Sequence, residues 1–154
     1  MKRVNVKGTF VELDALHHGP SWYQPTAEEF SARVREEMDA MPDGWVIDGN
    51  YEGKLGSLVL DQADTIVWLD LPLALKLRRV LRRTVGRIRG DVELWSGNKE
   101  TWRGVFWGRE SLLWWTVKAH IQNKRHWPAR FAGDPRLVRL RSVAEARRWL
   151  DTTS

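Results

Sequence analysis

The first two strands predicted in this chain are separated by only two residues, and this spacing limits the sheets that the chain can form. Residues 3–7 and 10–14 both have the composition of strands, with Gly8 and Thr9 between them. A crossover between neighbouring parallel strands needs about 10–12 residues. The spacing therefore predicts either a hairpin at Gly8-Thr9 or one continuous strand through Leu13, and an N-terminal strand region that is rearranged or shortened.

Farther along the chain, predicted strands and helices alternate. Apolar runs predict short buried strands at 45–48, 65–70 and 137–140. The helices predicted from periodicity and capping residues cover about 26–41, 72–88, most of 99–125, and 142–150. Alternating strands and helices predict an α/β fold with a largely parallel sheet. The length predicts a single domain over residues 1–154.

Composition narrows the classes of function. The chain has no cysteine, which excludes a disulfide framework and a thiolate metal site. No stretch approaches the roughly 18 apolar residues of a membrane span, so we expect a cytoplasmic protein with no membrane partner. The formal net charge of +5 favours anionic partners such as nucleotides, phosphorylated molecules or nucleic acid. The adjacent His17 and His18 do not share a face in an extended chain, and no zinc site is predicted.

Three aspartates lie at or near the ends of predicted strands: Asp14, Asp48 and Asp70. In open parallel sheets, ligands bind beyond the carboxyl ends of the strands. A single aspartate in such a place is usually a turn former or a helix cap. Three in successive strands of one sheet indicate a functional edge.

Several segments resemble one enzyme family. Val46-Ile47-Asp48-Gly49-Asn50-Tyr51 resembles the strand and Asp-Gly segment of adenylate-kinase-like P-loop enzymes. Leu13-Asp14-Ala15-Leu16-His17, with Trp22 downstream, resembles the acceptor side of small-molecule kinases. The most distinctive run, Glu93-Leu94-Trp95-Ser96-Gly97-Asn98-Lys99-Glu100, is similar to a segment of bacterial topology modulation proteins, or adenylate-kinase-like ATPases. Together these similarities extend from Phe10 to Leu150.

The resemblance implies a three-layer P-loop-kinase-like fold with a lid-like segment around residues 86–104. In such enzymes Asp14 would position or deprotonate the acceptor hydroxyl, and Asp48 would hold the magnesium ion beside the phosphates of ATP. Arginines of the predicted helix 72–88 would clamp the transferred phosphoryl group: Arg78, Arg82 and Arg83. The substrate-binding residues implied are His17, Trp22, Asn50, Tyr51, Asn98 and Glu100.

The chain departs from the family in one respect. No G-x-x-x-x-G-K-S/T motif occurs, so the loop and lysine that hold the donor phosphates are missing. Intact relatives use ATP and magnesium to phosphorylate a nucleotide or small molecule. We expect this chain to be inactive as a phosphotransferase, or to bind only a nucleotide or phosphorylated molecule, with no cofactor required.

Two other functions remain open from the sequence. The arginine-rich helix and some of the ten tryptophans could bind nucleic acid. The chain could also be an interaction protein without a small-molecule ligand. Charged helix faces are usually only solvated surface, so the arginines alone do not decide between these functions. The shortened N-terminal region also predicts an exposed sheet edge and self-association.

Overall fold

A computed structural model describes residues 9–90, 92–98, 102 and 111–153 of the chain. The chain divides into two compact units. The first comprises Met1–Ala63, Trp95–Asn98 and Leu150–Ser154, and the second comprises Asp64–Leu94 and Lys99–Trp149. The structure is α/β, and its strands pair in parallel, as predicted. Within the described ranges, no helix has the length and apolar character needed to cross a membrane.

The first unit contains two short strands and four short or medium helices in its described part. These elements are β1 (Thr9–Glu12), α1 (Leu13–His17), α2 (Ala27–Asp39), β2 (Trp45–Asp48), α3 (Glu52–Leu55) and α4 (Leu58–Gln62). The 3₁₀ turns Pro20–Trp22 and Trp95–Gly97 also belong to this unit. Strands β1 and β2 are parallel, with Glu12 opposite Asp48. The segment between them includes α2 and is long enough for a parallel crossover.

Helix α2 forms and packs as its sequence predicts. Thr26 and Glu29 make the reciprocal bonds of a capping box at its beginning. The apolar stripe of Phe30, Val34 and Met38 is buried. These side chains form a core with Leu13, Leu55 and their apolar neighbours, and this core fixes the helices beside the ends of the strands.

The second unit has the same strand-and-helix pattern. Its elements are β3 (Ile66–Leu69), α5 (Leu73–Arg89), α6 (Leu112–Arg130), β4 (Leu137–Leu140) and α7 (Val143–Thr153), the last of which ends in the first unit. Strands β3 and β4 are parallel, with Trp68 opposite Arg139. Along β3, Ile66 and Trp68 are buried whereas Val67 and Leu69 are exposed. Helices α5 and α6 pack against each other.

The structure corrects some predicted boundaries. The strand predicted at 10–14 ends at Glu12, because the chain turns there into α1, which contains Asp14. The helix predicted over most of 99–125 extends farther than expected, since α6 continues through Pro128 to Arg130. Proline removes only one helical donor, and near the end of a helix the loss is small. The hairpin or continuous strand predicted for residues 3–7 lies outside the described residues.

Candidate functional site

The carboxyl ends of β1 and β2 bring together several of the predicted site residues. Because Glu12 lies opposite Asp48 in parallel strands, the residues that follow both strands meet at one edge. Asp14 lies in the first turn of α1, and Tyr51 immediately precedes α3. Asp14, Asp48 and Tyr51 thus lie near the carboxyl ends of this strand pair, and their role as site residues stays a prediction.

Asp14 and Tyr51 form the central contact of this edge. The Tyr51 hydroxyl donates a hydrogen bond of 2.5 Å to Oδ1 of Asp14, across 37 residues of sequence. Burial, followed by this bond to Asp14, raises the pKa of Tyr51. Tyr51 is therefore held as a neutral donor, and the Asp14 carboxylate is oriented by a hydroxyl group.

Asp48 lies in an acidic environment. Partial burial raises its pKa, and the carboxylates of Asp14 and Glu12 raise it further, while the Gly49 backbone N–H bonds to it and opposes the shift. A cation would relieve this repulsion. In the part of the chain that the structure describes, however, no group of three or more His, Cys, Asp or Glu side chains is arranged to hold a metal ion. Magnesium binding by Asp48 stays a prediction.

His17 is buried beside Lys54, a partner that the sequence did not indicate. Nζ of Lys54 lies 2.8 Å from Nε2 of His17 and donates a second bond of 3.2 Å to the Pro25 carbonyl oxygen. A lysine ammonium can only donate, so Nε2 must accept and the ring proton lies on Nδ1. Among the described residues, Nδ1 has no hydrogen-bond partner. His17 also packs against the rings of Phe30 and Tyr51, which hold it at the site.

We expect the stability of the chain to rise with pH between about 4 and 6.5. Burial, then Lys54 and His18, lower the pKa of His17 from 6.5 to about 4, although Asp14 opposes them. In this interval the unfolded chain binds a proton that folded His17 does not, so raising the pH favours the folded state. The pKa of His18 is lowered too, mainly by burial, and acts in the same direction.

Denaturant unfolding at several pH values measures this effect. His17→Gln should reduce the increase in the free energy of unfolding over this pH interval. Lys54→Met should confine the increase to a narrower pH interval, because without the neighbouring positive charge the pKa of folded His17 lies closer to 6.5. An unchanged pH profile in His17→Gln would contradict the assignment. NMR of the imidazole nitrogens checks the Nδ1–H tautomer directly.

The loop at residues 95–98 holds the segment that follows His17 in place. The Asn98 side chain accepts a hydrogen bond of 2.9 Å from the Trp22 backbone N–H and donates one of 2.9 Å to the Gly19 carbonyl. The Ser96 hydroxyl donates a bond of 3.0 Å to the His18 carbonyl. These contacts join residues that are 76 to 79 positions apart. Asn98 is buried and holds this loop, and its predicted part in binding substrate stays a prediction.

The loop that Asn98 holds has an unusual backbone. Ser21 and Trp22 both have positive φ, at 54° and 60°. Non-glycine residues rarely adopt this conformation, and it persists only where the surroundings enforce it. The indole of Trp22 is 43% exposed and makes an edge contact with the His18 ring. The loop therefore presents an aromatic surface beside the two histidines.

The third strand-end aspartate, Asp70, belongs to the second unit and has a different role. Its side chain is 3% exposed and Oδ2 accepts bonds from Nη2 and Nε of Arg139, at 2.6 and 3.0 Å. The Arg139 guanidinium also lies 4.2 Å from the centre of the Trp68 ring. Asp70 is thus part of a buried ion pair.

The other predicted site residues are Asn50, three arginines of α5 and Glu100. Asn50 follows β2 and is exposed. The predicted phosphoryl clamp of Arg78, Arg82 and Arg83 is exposed on α5 in the second unit, and its approach to Asp14 and Asp48 stays a prediction. Glu100 lies outside the described residues, as does part of the predicted lid-like segment. Comparison of the chain with protein-family models, curated proteins and solved structures finds no match.

Proposed function

We propose that this chain is a relative of the adenylate-kinase-like P-loop enzymes that binds a nucleotide or another phosphorylated small molecule but does not transfer phosphate. The binding site in this proposal lies at the carboxyl ends of β1 and β2. The observation that carries it is the Tyr51–Asp14 hydrogen bond at that edge, with Asp48 close enough to be affected by the Asp14 charge.

The paired strands also support the proposal. In the family, the first strand takes the central slot of one parallel sheet within a three-layer fold. With that strand left out, the remaining strands of such a sheet would form parallel pairs. The described residues contain two parallel pairs of strands, β1–β2 and β3–β4. A single P-loop-kinase-like domain over residues 1–154, with a lid-like segment at 86–104, is the arrangement that we propose from this pattern.

The chemistry at Asp14 suits a hydroxyl-bearing ligand. Tyr51 already donates one alcohol-type hydrogen bond to Oδ1, and a carboxylate has capacity for further donors. A sugar hydroxyl could bond to the same carboxylate. The indole of Trp22 offers a face for a base, because base–aromatic stacking tolerates any base. The neutral His17 and the cationic Lys54 place donors nearby.

ATP and magnesium do not enter the proposed binding step. The phosphate loop is missing from the sequence, and with it the lysine and the hydroxyl that complete a kinase-type magnesium site. The acidic group of Asp48, Asp14 and Glu12 lacks these partners, so the residues do not fit the complete ATP–magnesium arrangement. The proposed function therefore includes no step that uses ATP or magnesium.

We expect no measurable ATP hydrolysis or phosphate transfer, because positioning and charge stabilisation supply nearly all of the catalysis in phosphoryl transfer. We expect adenosine 5′-monophosphate to bind, and Asp14→Asn to weaken it about 10-fold or more, as a lost bond to a charged group does. Calorimetric titration measures the binding of adenosine 5′-monophosphate, and a phosphate-release assay measures ATP hydrolysis.

Asp43→Asn is the matched control, since Asp43 is exposed in a turn of the same unit and loses the same charge. Equal weakening by both substitutions, or no nucleotide binding at all, would contradict the proposed site. Magnesium-dependent ATP turnover that is abolished by Asp48→Ala would contradict the proposed inactivity.

One observation favours nucleic-acid binding as the second candidate. On the second unit, Trp114 and Trp115 are 52% and 61% exposed near the beginning of α6, and α5 carries exposed arginines. Aromatic and basic residues together are typical of single-strand binding. Binding to the phosphate backbone weakens steeply with salt, so a titration with single-stranded DNA at 50 and 200 mM salt separates this function from nucleotide binding.

A further inference from the structure

A second polar cluster lies in the second unit, around the end of β3. Lys76 projects from the beginning of α5, and its Nζ lies 3.4 Å from Nδ1 of His120 on α6. Lys124 follows His120 by one helical turn and so lies on the same side of α6. Lys76 and His120 are partly buried and Lys124 is exposed, so the cluster opens to solvent at Lys124.

The cluster has more hydrogen-bond donors than acceptors. Lysine can only donate, so Nδ1 of His120 accepts from Lys76, and the ring proton is on Nε2. Lys76, Lys124 and the His120 Nε2–H are then all donors. Burial and neighbouring positive charge lower the pKa of His120, and burial together with Lys124 lowers that of Lys76, while Asp70 opposes both shifts.

The nearby acid, Asp70, compensates these charges only in part. Arg139 already neutralises Asp70 through Oδ2. The cluster of Lys76, His120 and Lys124 therefore keeps an excess of positive charge, which an anionic ligand would balance.

We propose that Lys76, His120 and Lys124 form a binding site for a phosphate group. A phosphate dianion carries the charge of two lysines and can accept from ammonium and imidazole donors at once. A carboxylate ligand would balance only one of the lysines. Asp70 and Arg139 support the site from the interior without contacting the ligand. This site is independent of the one proposed for the first unit and uses none of its residues.

Calorimetric titration with inorganic phosphate, on the full chain at pH 7.5 and low salt, tests the proposal. Sodium chloride at equal ionic strength is the reference titration. We expect saturable binding of phosphate, and Lys124→Gln should weaken it about tenfold, since the bond that it loses is charge-assisted. Glycerol 3-phosphate is the second probe, because the same group then comes from an organic molecule, and it should bind at the same residues.

Lys118→Gln is the matched control, because Lys118 is exposed on the same helix but lies outside the cluster. It should change the affinity less than twofold, and His120→Gln should weaken binding as Lys124→Gln does. Equal weakening by the Lys118 and Lys124 variants would overturn the proposal, as would the absence of saturable binding. A protein that binds glycerol 3-phosphate but not inorganic phosphate would also contradict the proposal. Circular dichroism of each variant excludes loss of folding as the cause.

Discussion

Arg139→Ala should lower the free energy of unfolding by about 3–5 kcal/mol, the cost typical of leaving one member of a buried ion pair without its partner. Asp70 is almost fully buried, and its Oδ2 accepts two hydrogen bonds from Arg139. The substitution also removes the guanidinium from the face of Trp68. Denaturant unfolding followed by circular dichroism measures the change.

The same strand region offers a matched control. Arg136 pairs with Asp134 at 2.9 Å, but this pair is more exposed, with 36% and 19% of the two side chains accessible. Arg136→Ala should therefore destabilise the chain far less, since exposed ion pairs contribute little. The double variant Asp70→Asn, Arg139→Met should recover much of the loss, because no unpaired charge remains. Equal losses in Arg136→Ala and Arg139→Ala would show that burial does not govern this interaction.

Gly49→Ala should destabilise the chain by about 3 kcal/mol, because strain and overlap act together. Gly49 has a φ of +136°, a conformation that side chains rarely adopt. A Cβ atom there would lie only 2.8 Å from Cβ of Leu13, which is 2% exposed and cannot move without disturbing the core. Because Gly49 joins Asp48 to Asn50, the same substitution should also weaken binding of adenosine 5′-monophosphate.

Substitution of Gly44 separates the effect of backbone strain from the effect of overlap with Leu13. Its φ is +118°, but a Cβ atom built on it would meet nothing within 4 Å. Gly44→Ala should therefore cost only the backbone strain, about 1–2 kcal/mol. If the two alanine variants unfold at the same denaturant concentration, the contact with Leu13 contributes nothing, and the close packing of β2 against α1 is not a determinant of stability.

Much of the fold could be predicted because its signals are local. The capping box at Thr26 and the stripe of Phe30, Val34 and Met38 predict α2. The strands at 45–48 and 137–140 have the predicted bounds. Helices α1, α3 and α4 were missed, because segments of four or five residues do not show a full helical period. Their formation depends on the core around Leu13 and Leu55.

The location of Asp14 and Asp48 near the carboxyl ends of β1 and β2 could be predicted from the strand ends, and their roles in binding stay predictions. Contacts that depend on tertiary pairing could not be predicted. Lys54 was missed, although it follows Tyr51 by one helical turn, because the sequence shows neither α3 nor the approach of α3 to His17. Asp70 had the same signal as Asp14, yet its partner, Arg139, is 69 residues away, and only the β3–β4 pairing brings it close.

The division of the chain into units implies an order of assembly. The first unit takes its residues from three separate stretches, and the second unit is inserted between them. During synthesis, Gly19 and Trp22 emerge long before Asn98, which fixes their loop. The first unit therefore cannot be completed until most of the second has been translated, and such distant contacts fold slowly. Neither unit corresponds to one continuous gene fragment, so splitting the coding sequence at a single point would separate residues that belong together.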